Sequence, residues 1–448
     1  MSVGIVVFTR DLRVHDNPAL WHAVRAHDQV LPAFVLDDAI LATGFNRPNR
    51  AAFLAECLAD LDTELHQRGA GLVVRRGHTA TEVATLARKV GASAVHIAGD
   101  VSSFAARRSA QLTNALDCAV EVHDDVLFAA PPGRILPSGG GTHMSVFAAY
   151  HRRWSDARRR EVLPAPRRIS MPRIARGPRP SPREICPGPT SPRLARGGEQ
   201  VARRLLASWL THHCAGYDTS RDNMAADQTS RLSPFLHFGC ISPVDVVSRS
   251  GMPEGFIRQV AWRDFHAQVL AARPDATAND YRSRADHWRH APDELDAWRR
   301  GRTGLPIVDA GMRQLSAEGW MHNRARLIVA HFLTKTLYID WRHGARHFAD
   351  LLVDADVANN TMNWQWVAGT GTDSRFNRVY NITGQGRRHD PDGDYVRRYV
   401  PELSGVPGPA VHEPWRLPTQ TRRQLDYPDP IVDVAQGNER FLHARGKH

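Results

Sequence analysis

Between residues 1 and 130, five short apolar runs alternate with helix-length amphipathic stretches such as 51–68 and 81–90. The runs are Val3–Phe8, 30–36, 71–75, Ala94–Ala98 and Ala119–His123. A strand that is apolar on both faces must be covered on both sides, and a connection long enough for a helix joins parallel neighbours. The alternation therefore predicts a Rossmann-like parallel sheet flanked by helices, an α/β domain. Ligands of such sheets sit beyond the carboxyl ends of the strands. No Gly-x-Gly-x-x-Gly follows the first run, so the sheet by itself gives no reason to expect a dinucleotide there.

The pattern then changes. Residues 131–198 read as a connector, rich in Pro and Arg from about residue 164 and with little periodicity. From residue 199 strand signals disappear. Helical periodicity runs through 256–272, 308–318, 324–337 and 345–353, with Pro292 and Pro306 at helix starts or turns. The expected organisation is an α/β domain over 1–130, a connector over 131–198 and an all-helical domain over 199–448. A chain of 448 residues is long enough to give each domain its own core.

Charge narrows the choice of partner. The formal charge of +11 favours an anionic one, most simply nucleic acid. The basic residues are almost all Arg, with Lys only at 89, 335 and 447. Arg suits bidentate phosphate contacts, although a codon bias would leave the same excess. Cys57, Cys118, Cys186, Cys214 and Cys240 lie far apart without a Cys-x-x-Cys. They suggest neither a zinc site nor a disulfide framework, so no metal is expected and a reducing cytoplasm fits. No apolar run approaches membrane-spanning length, and the N-terminus enters a strand directly, unlike a signal peptide.

Two segments of the helical half carry more polar chemistry than a core requires: 319–326 (GWMHNRAR) and 359–366 (NNTMNWQW). A buried amide left unpaired costs about 1–3 kcal/mol. Something polar must therefore satisfy Asn323, Arg326, Asn360 and Asn363. An aromatic cofactor bearing carbonyls and ring nitrogens would do so. Taken alone, Thr229-Ser230-Arg231-Leu232-Ser233 reads as a helix cap and the eleven tryptophans as core filling.

Together with Trp262-Arg263-Asp264-Phe265 and the 304–310 segment GLPIVDA, these motifs stand in an order that resembles the DNA photolyase/cryptochrome family. The likeness runs from Thr9-Arg10-Asp11-Leu12-Arg13 to the 399–403 segment and is closest to the branch that repairs cyclobutane pyrimidine dimers. The resemblance implies a folded, U-shaped FAD in the helical domain. Tyr217, Thr229, Ser230, Arg231, Leu232 and Ser233 match its phosphate side. Arg263, Asn323, Arg326, Asp354, Ala355, Asp356 and Asn360 match further cofactor contacts. Among these, Arg326 and Asp354 match an ion pair near the flavin ring, Asp356 a ring-edge position and Asn360 the residue facing N5. Trp364, Trp341 and Trp288 match the family's electron-transfer chain, with Trp364 nearest the flavin. Chemistry on a stacked base needs that base flipped out. For the flipped lesion the resemblance supplies Trp262 and Trp366 as walls, Gln259, Asn323 and Arg324 as polar contacts, and Arg221 and Gln385 as DNA-facing positions.

Gln259 and Leu327 depart from the pattern of the bacterial dimer-repair enzymes, which usually carry Glu and often Met there. Gln259 is shared with (6-4) enzymes and several cryptochromes, but the (6-4) histidine pair is unmatched: Asn323 and Leu327 occupy those positions, with His322 and His331 out of register. The implied activity is light-driven repair of cyclobutane dimers in UV-damaged DNA by a monomer. The alternative is a cryptochrome-type photoreceptor, and a third reading is a basic DNA-binding protein without a cofactor. For a second, antenna chromophore, segment 104–109 lacks the glutamate of the folate-binding type, which leaves deazaflavin as the better match, with FAD or no antenna as alternatives.

Overall fold

The computed structural model describes residues 1–446. Strands β1 (Val3–Phe8), β2 (Gln29–Asp37), β3 (Val73–Gly77), β4 (Ala94–Ala98) and β5 (Ala119–His123) form one parallel sheet in the order β3-β2-β1-β4-β5. All five expected strands are present. β2 is longer than the apolar run that announced it, and β3 begins two residues later. Along β1 alternate side chains divide between two cores. Ile5 and Val7 join Leu31, Val73 and Val95 on one face, while Val6 and Phe8 enter a core shared with the helical half through Phe235 and Phe265. The chain leaves β1 toward β2 and β3, then crosses back to β4 and β5. The switch point lies between β1 and β4, and the carboxyl ends of these strands open toward the helical half. There Arg10, just beyond β1, meets Asp356.

The segment 131–198 is not one kind of chain. Its helix Phe147–Asp156 packs against the helix Glu254–Ala272 of the helical domain. The Pro/Arg-rich part is strapped across the sheet domain by backbone bonds, from Ile169 N to Arg68 O (2.7 Å), Val30 N to Ser170 O (2.8 Å) and Val74 N to Arg176 O (2.9 Å). It ends tied to the helical domain by Arg193 N to Ala317 O (2.8 Å).

Among the described residues, everything regular after residue 199 is helical. Pro292 and Pro306 each open a helix, Pro292–Arg300 and Pro306–Glu318. One expectation needs correction: 324–337 is not a single α-helix. The helix Asn323–His331 passes into a π-helical turn, Phe332–Thr336. There the buried Lys335 ammonium donates to the carbonyls of Phe376 and Arg378 at 2.8 and 2.7 Å. No helix among the described residues is long and apolar enough to cross a membrane.

Candidate active site

A cavity of about 480 Å³ opens in the helical domain where it faces the sheet. The 229–233 string forms part of its wall. Arg231 takes a left-handed conformation (φ 51°), which turns the chain before the short helix Ser233–His237. Its guanidinium is bidentate to Asp227 (2.9 and 2.6 Å), reaches Glu318 at 2.8 Å, and lies over the Trp320 ring at 4.2 Å. Ser233 Oγ accepts from Trp320 Nε1 at 3.1 Å. Thr229 Oγ1, by contrast, is buried with no hydrogen-bond partner. The five-residue helix is too short to build a large dipole, so the free hydroxyl is what this wall offers an anion. Tyr217 also lines the cavity, with its phenol pKa pushed up to about 12 by burial.

The opposite wall is ionic. Arg326 Nη2 reaches both oxygens of Asp354 at 3.1 and 2.8 Å, while its Nε donates to Met321 O at 2.9 Å. Asp356 caps the helix Val357–Ala368, accepting from Asn359 N at 2.9 Å and Asn359 Nδ2 at 2.8 Å. Arg10 Nη1 sits 2.6 Å from its other oxygen. Burial alone would raise the pKa of Asp356, but the charge of Arg10, with His237 and Arg263 beyond, holds it well below the usual carboxylate range. Arg263 donates to Leu127 O at 2.5 Å and thereby ties the cavity to the segment leaving the sheet domain. Asn360 lines the cavity and donates to Ala345 O at 2.9 Å. Ala355 is buried between the two aspartates and does not line the cavity.

These residues fit a flavin nucleotide. They combine a large, partly apolar cleft with a lone buried hydroxyl and with arginine–carboxylate pairs that keep fixed charges at its edge. His266 Nε2 and His237 Nδ1, also on the lining, are further buried atoms without hydrogen bonds. Burial pushes the His266 pKa down to about 4, so the ring is neutral near pH 7.

The other site residues divide. Gln259, Trp262, Asn323, Arg324, Trp366 and Arg221 all line the same cavity. Trp262 lies flat on Phe147, with ring centroids 3.6 Å apart and planes within 6°. Arg324 does not stand free for a ligand: its fork holds Asp222 at 3.2 and 2.7 Å. Gln385 is half-buried on the helix Ile382–His389, outside the cavity. Of the three tryptophans only Trp364 lines it. Trp364 packs edge-on to Phe348 at 4.9 Å and crosses the helix Trp341–Leu351 at Gly344, where any side chain would collide with its ring. Trp341, one turn before Gly344, is buried and donates through Nε1 to Asp280 at 2.9 Å. Trp288 is half-buried beside Tyr338, 5.1 Å away. His322 and His331 lie outside the cavity, and His331 stacks on Tyr380 at 4.3 Å.

The sequence reading missed Arg10, His237, His266 and Phe147. His266 could have been found, because it lies one helical turn after Trp262 and shares its face. Arg10 lies in the Thr9–Arg13 motif, but like Phe147 it comes from an element far away in sequence, so nothing local pointed it at this cavity.

The model of the FAD binding domain of DNA photolyase matches residues 256–447, and that of the DNA photolyase domain matches residues 4–167. The chain is also 55% identical over 455 residues to a deoxyribodipyrimidine photo-lyase of Streptomyces griseus, with all of both chains covered. The chain belongs to the DNA photolyase family. Solved members share its shape. A class III photolyase of Agrobacterium tumefaciens superposes with a TM-score of 0.90 at 32% identity, covering 100% of this chain and 97% of that one. A cryptochrome of Synechocystis gives 0.91 at 28% identity, with 99% of both chains covered. As a photolyase-family chain it has the five-strand sheet domain followed by a helical domain that binds FAD.

Proposed function

We propose that this photolyase-family chain repairs cyclobutane pyrimidine dimers in DNA under blue or near-ultraviolet light. The observation that carries the reading is its full-length likeness to the Streptomyces griseus enzyme. When bound and reduced, FAD supplies on illumination the electron that opens the cyclobutane ring and takes it back afterwards, with no net redox change.

The chain's own residues hold and shield the reactants. Thr229, with Tyr217 and Ser230 on the same lining, would hold the diphosphate side, and the Arg326–Asp354 pair and Asn360 would hold the flavin ring. Trp262 and Trp366 give a flipped dinucleotide two apolar walls. Stacking of about 1–3 kcal/mol per base offsets much of the few kcal/mol that flipping costs. Phe147 backs Trp262, so that wall is rigid before the lesion arrives. Gln259 and Asn323 are left to hydrogen-bond the base edges, and Arg221 to meet a phosphate. Trp288, then Trp341 and Trp364, would carry electrons inward to an oxidised flavin and take no part in ring opening. The antenna, where one is held, is a deazaflavin in preference to a folate: the helix Ser103–Ala115 carries no carboxylate for the latter. The protein works as a monomer in the cytoplasm, on the nucleoid when DNA-bound.

A cryptochrome-type sensor is the second reading, favoured by Gln259 at the lesion side of the cavity. One experiment separates the two. The FAD-loaded protein is photoreduced and illuminated with an oligonucleotide carrying a single cyclobutane thymine dimer, and recovery of the thymine ultraviolet absorbance is followed. Light-dependent recovery is expected. No recovery from protein with bound, reduced FAD would transfer the assignment to the sensor.

A further inference from the structure

On the far side of the sheet domain from the strap, β4 and the edge strand β5 put three metal-type donors together. His96 lies in register beside Glu121, and His123 stands two residues further along β5. His96 Nδ1 is 3.1 Å from His123 Nε2 and 3.3 Å from Glu121 Oε2, and all three atoms lie within 4.8 Å of one another. In a tetrahedral site with metal–nitrogen bonds of about 2.0–2.1 Å, ligand atoms stand about 3.3 Å apart. The two measured edges match that spacing.

The hydrogen bonds behind His96 decide which face it presents. Ser93 Oγ lies 3.1 Å from Val3 O and 3.2 Å from His27 Nδ1. Its single proton serves both contacts only when it goes to the carbonyl and the hydroxyl oxygen accepts from His27 Nδ1–H. His27 Nε2 then carries a lone pair, and it sits 3.1 Å from His96 Nε2. With His27 Nε2 accepting, the fully buried His96 ring turns its Nε2 to His27 and its Nδ1 toward Glu121 and His123. His123 could donate one hydrogen bond to the Nδ1 lone pair. In the tautomer with the proton on Nε2, the Glu121 oxygen faces the same lone pair with no proton between them. A cation satisfies all three donors at once. An outer relay of this kind, fixing the tautomer of a ligand histidine, is how metal sites are oriented. Gly4 on β1 leaves the room that His27 occupies; any side chain there would collide with the ring.

We propose that His96, His123 and Glu121 form a binding site for a divalent transition-metal cation, zinc by preference, that clamps the edge strand β5 to β4. Two imidazoles and a carboxylate select the borderline transition metals over magnesium or calcium. The Glu121 side chain is 49% exposed, so the fourth position is open to water. The site departs from the expectation of no metal, which rested on cysteine spacing. His96, Glu121 and His123 come together only when two strands pair.

The test uses the full-length, FAD-loaded protein after chelator treatment. Cobalt(II) serves as the spectroscopic probe and zinc as its competitor. We expect one saturable equivalent of cobalt with the intense visible bands of a tetrahedral site, displaced by zinc. Glu121→Gln and His123→Gln should each weaken binding by about 10-fold or more, while His212→Gln, an exposed histidine elsewhere, leaves it unchanged. The flavin spectrum, far from the site, reports that each variant is folded. Cobalt binding that is equally tight in folded Glu121→Gln/His123→Gln protein overturns the proposal, as does a wild-type protein that takes up no cobalt.

Discussion

Replacing Arg10 by Met tests how the sheet domain supports the flavin site. Arg10 reaches across the domain boundary from the end of β1, 2.6 Å from Asp356 and 3.2 Å from Asp100. The Arg10 and Asp356 side chains are only 21% and 9% exposed. Methionine keeps an apolar stem and removes the charge. Asp356 would retain the two Asn359 hydrogen bonds, with His237 Nδ1 at 3.9 Å. Removing one partner of a buried pair costs about 3–5 kcal/mol; the surviving Asn359 bonds and the partial exposure of Arg10 place this case near about 3 kcal/mol. The pH dependence identifies the cause. In the native protein the pKa of Asp356 is depressed, so its stabilisation is present above the unfolded carboxylate value and is lost only as pH falls through the lower folded value. Without Arg10, burial raises the folded pKa. The deficit is then largest near about pH 7 and narrows as acid neutralises the stranded carboxylate toward about pH 4. Urea unfolding of FAD-loaded Arg10→Met across that range measures it, and Asp356→Asn in the same background should restore part of the loss. A deficit that stays constant with pH, together with a double variant no better than Arg10→Met, would show that lost packing, not a buried charge, is responsible.

Trp262→Ala should weaken binding to a thymine-dimer oligonucleotide by about 5- to 150-fold, the equivalent of one stacked base; unchanged affinity in a gel-shift assay would remove the lesion from this wall. Trp341→Phe should abolish photoreduction of oxidised flavin yet leave repair by chemically reduced protein intact, and normal photoreduction would take Trp341 out of the electron route. Gln259→Glu should raise the repair yield per absorbed photon, because a carboxyl group can give the lesion a proton that an amide cannot; an equal yield would mean that hydrogen bonding suffices. Arg221→Met should reduce DNA affinity and its salt dependence, whereas Arg324→Met should chiefly lower the melting temperature. The reverse ranking would exchange their roles.

The fold was legible wherever one pattern admitted one structure. β1 and β4 are as long as their apolar runs, because a strand buried between neighbours has no other way to hide them; β5 also matches its run, although it is a largely exposed edge strand. The connector was less legible. A Pro/Arg-rich string looks the same whether it hangs free or, as here, is pinned at Ile169, Ser170 and Arg176 by backbone bonds to the sheet domain. The π turn at Phe332–Thr336 left no trace in periodicity, since it is stabilised by Lys335 bonding to carbonyls some forty residues away. Tyr217, Arg326, Asp354 and Trp364, all picked out by motif order, line the cavity. Gln385 and Ala355 were assigned by the same order and do not line it.

What motif order could not supply is which cations are already spent. Sequence weighs every arginine alike, but the structure sorts those on the cavity. Arg324 is committed to Asp222, Arg326 to Asp354, and Arg231 to Asp227 and Glu318, each through charge-assisted bonds of 3.2 Å or less. Arg263 is held by the Leu127 carbonyl. Arg221 differs: its Nη1 is buried without a hydrogen bond, and its ion pair with Asp218 is a long one of 3.8 Å. A guanidinium already paired gains little from an incoming phosphate, because it must share or break bonds it has made. One held only by a long ion pair has less to give up. The committed arginines therefore set the shape and charge of the cleft, and Arg221 is its least committed lining arginine.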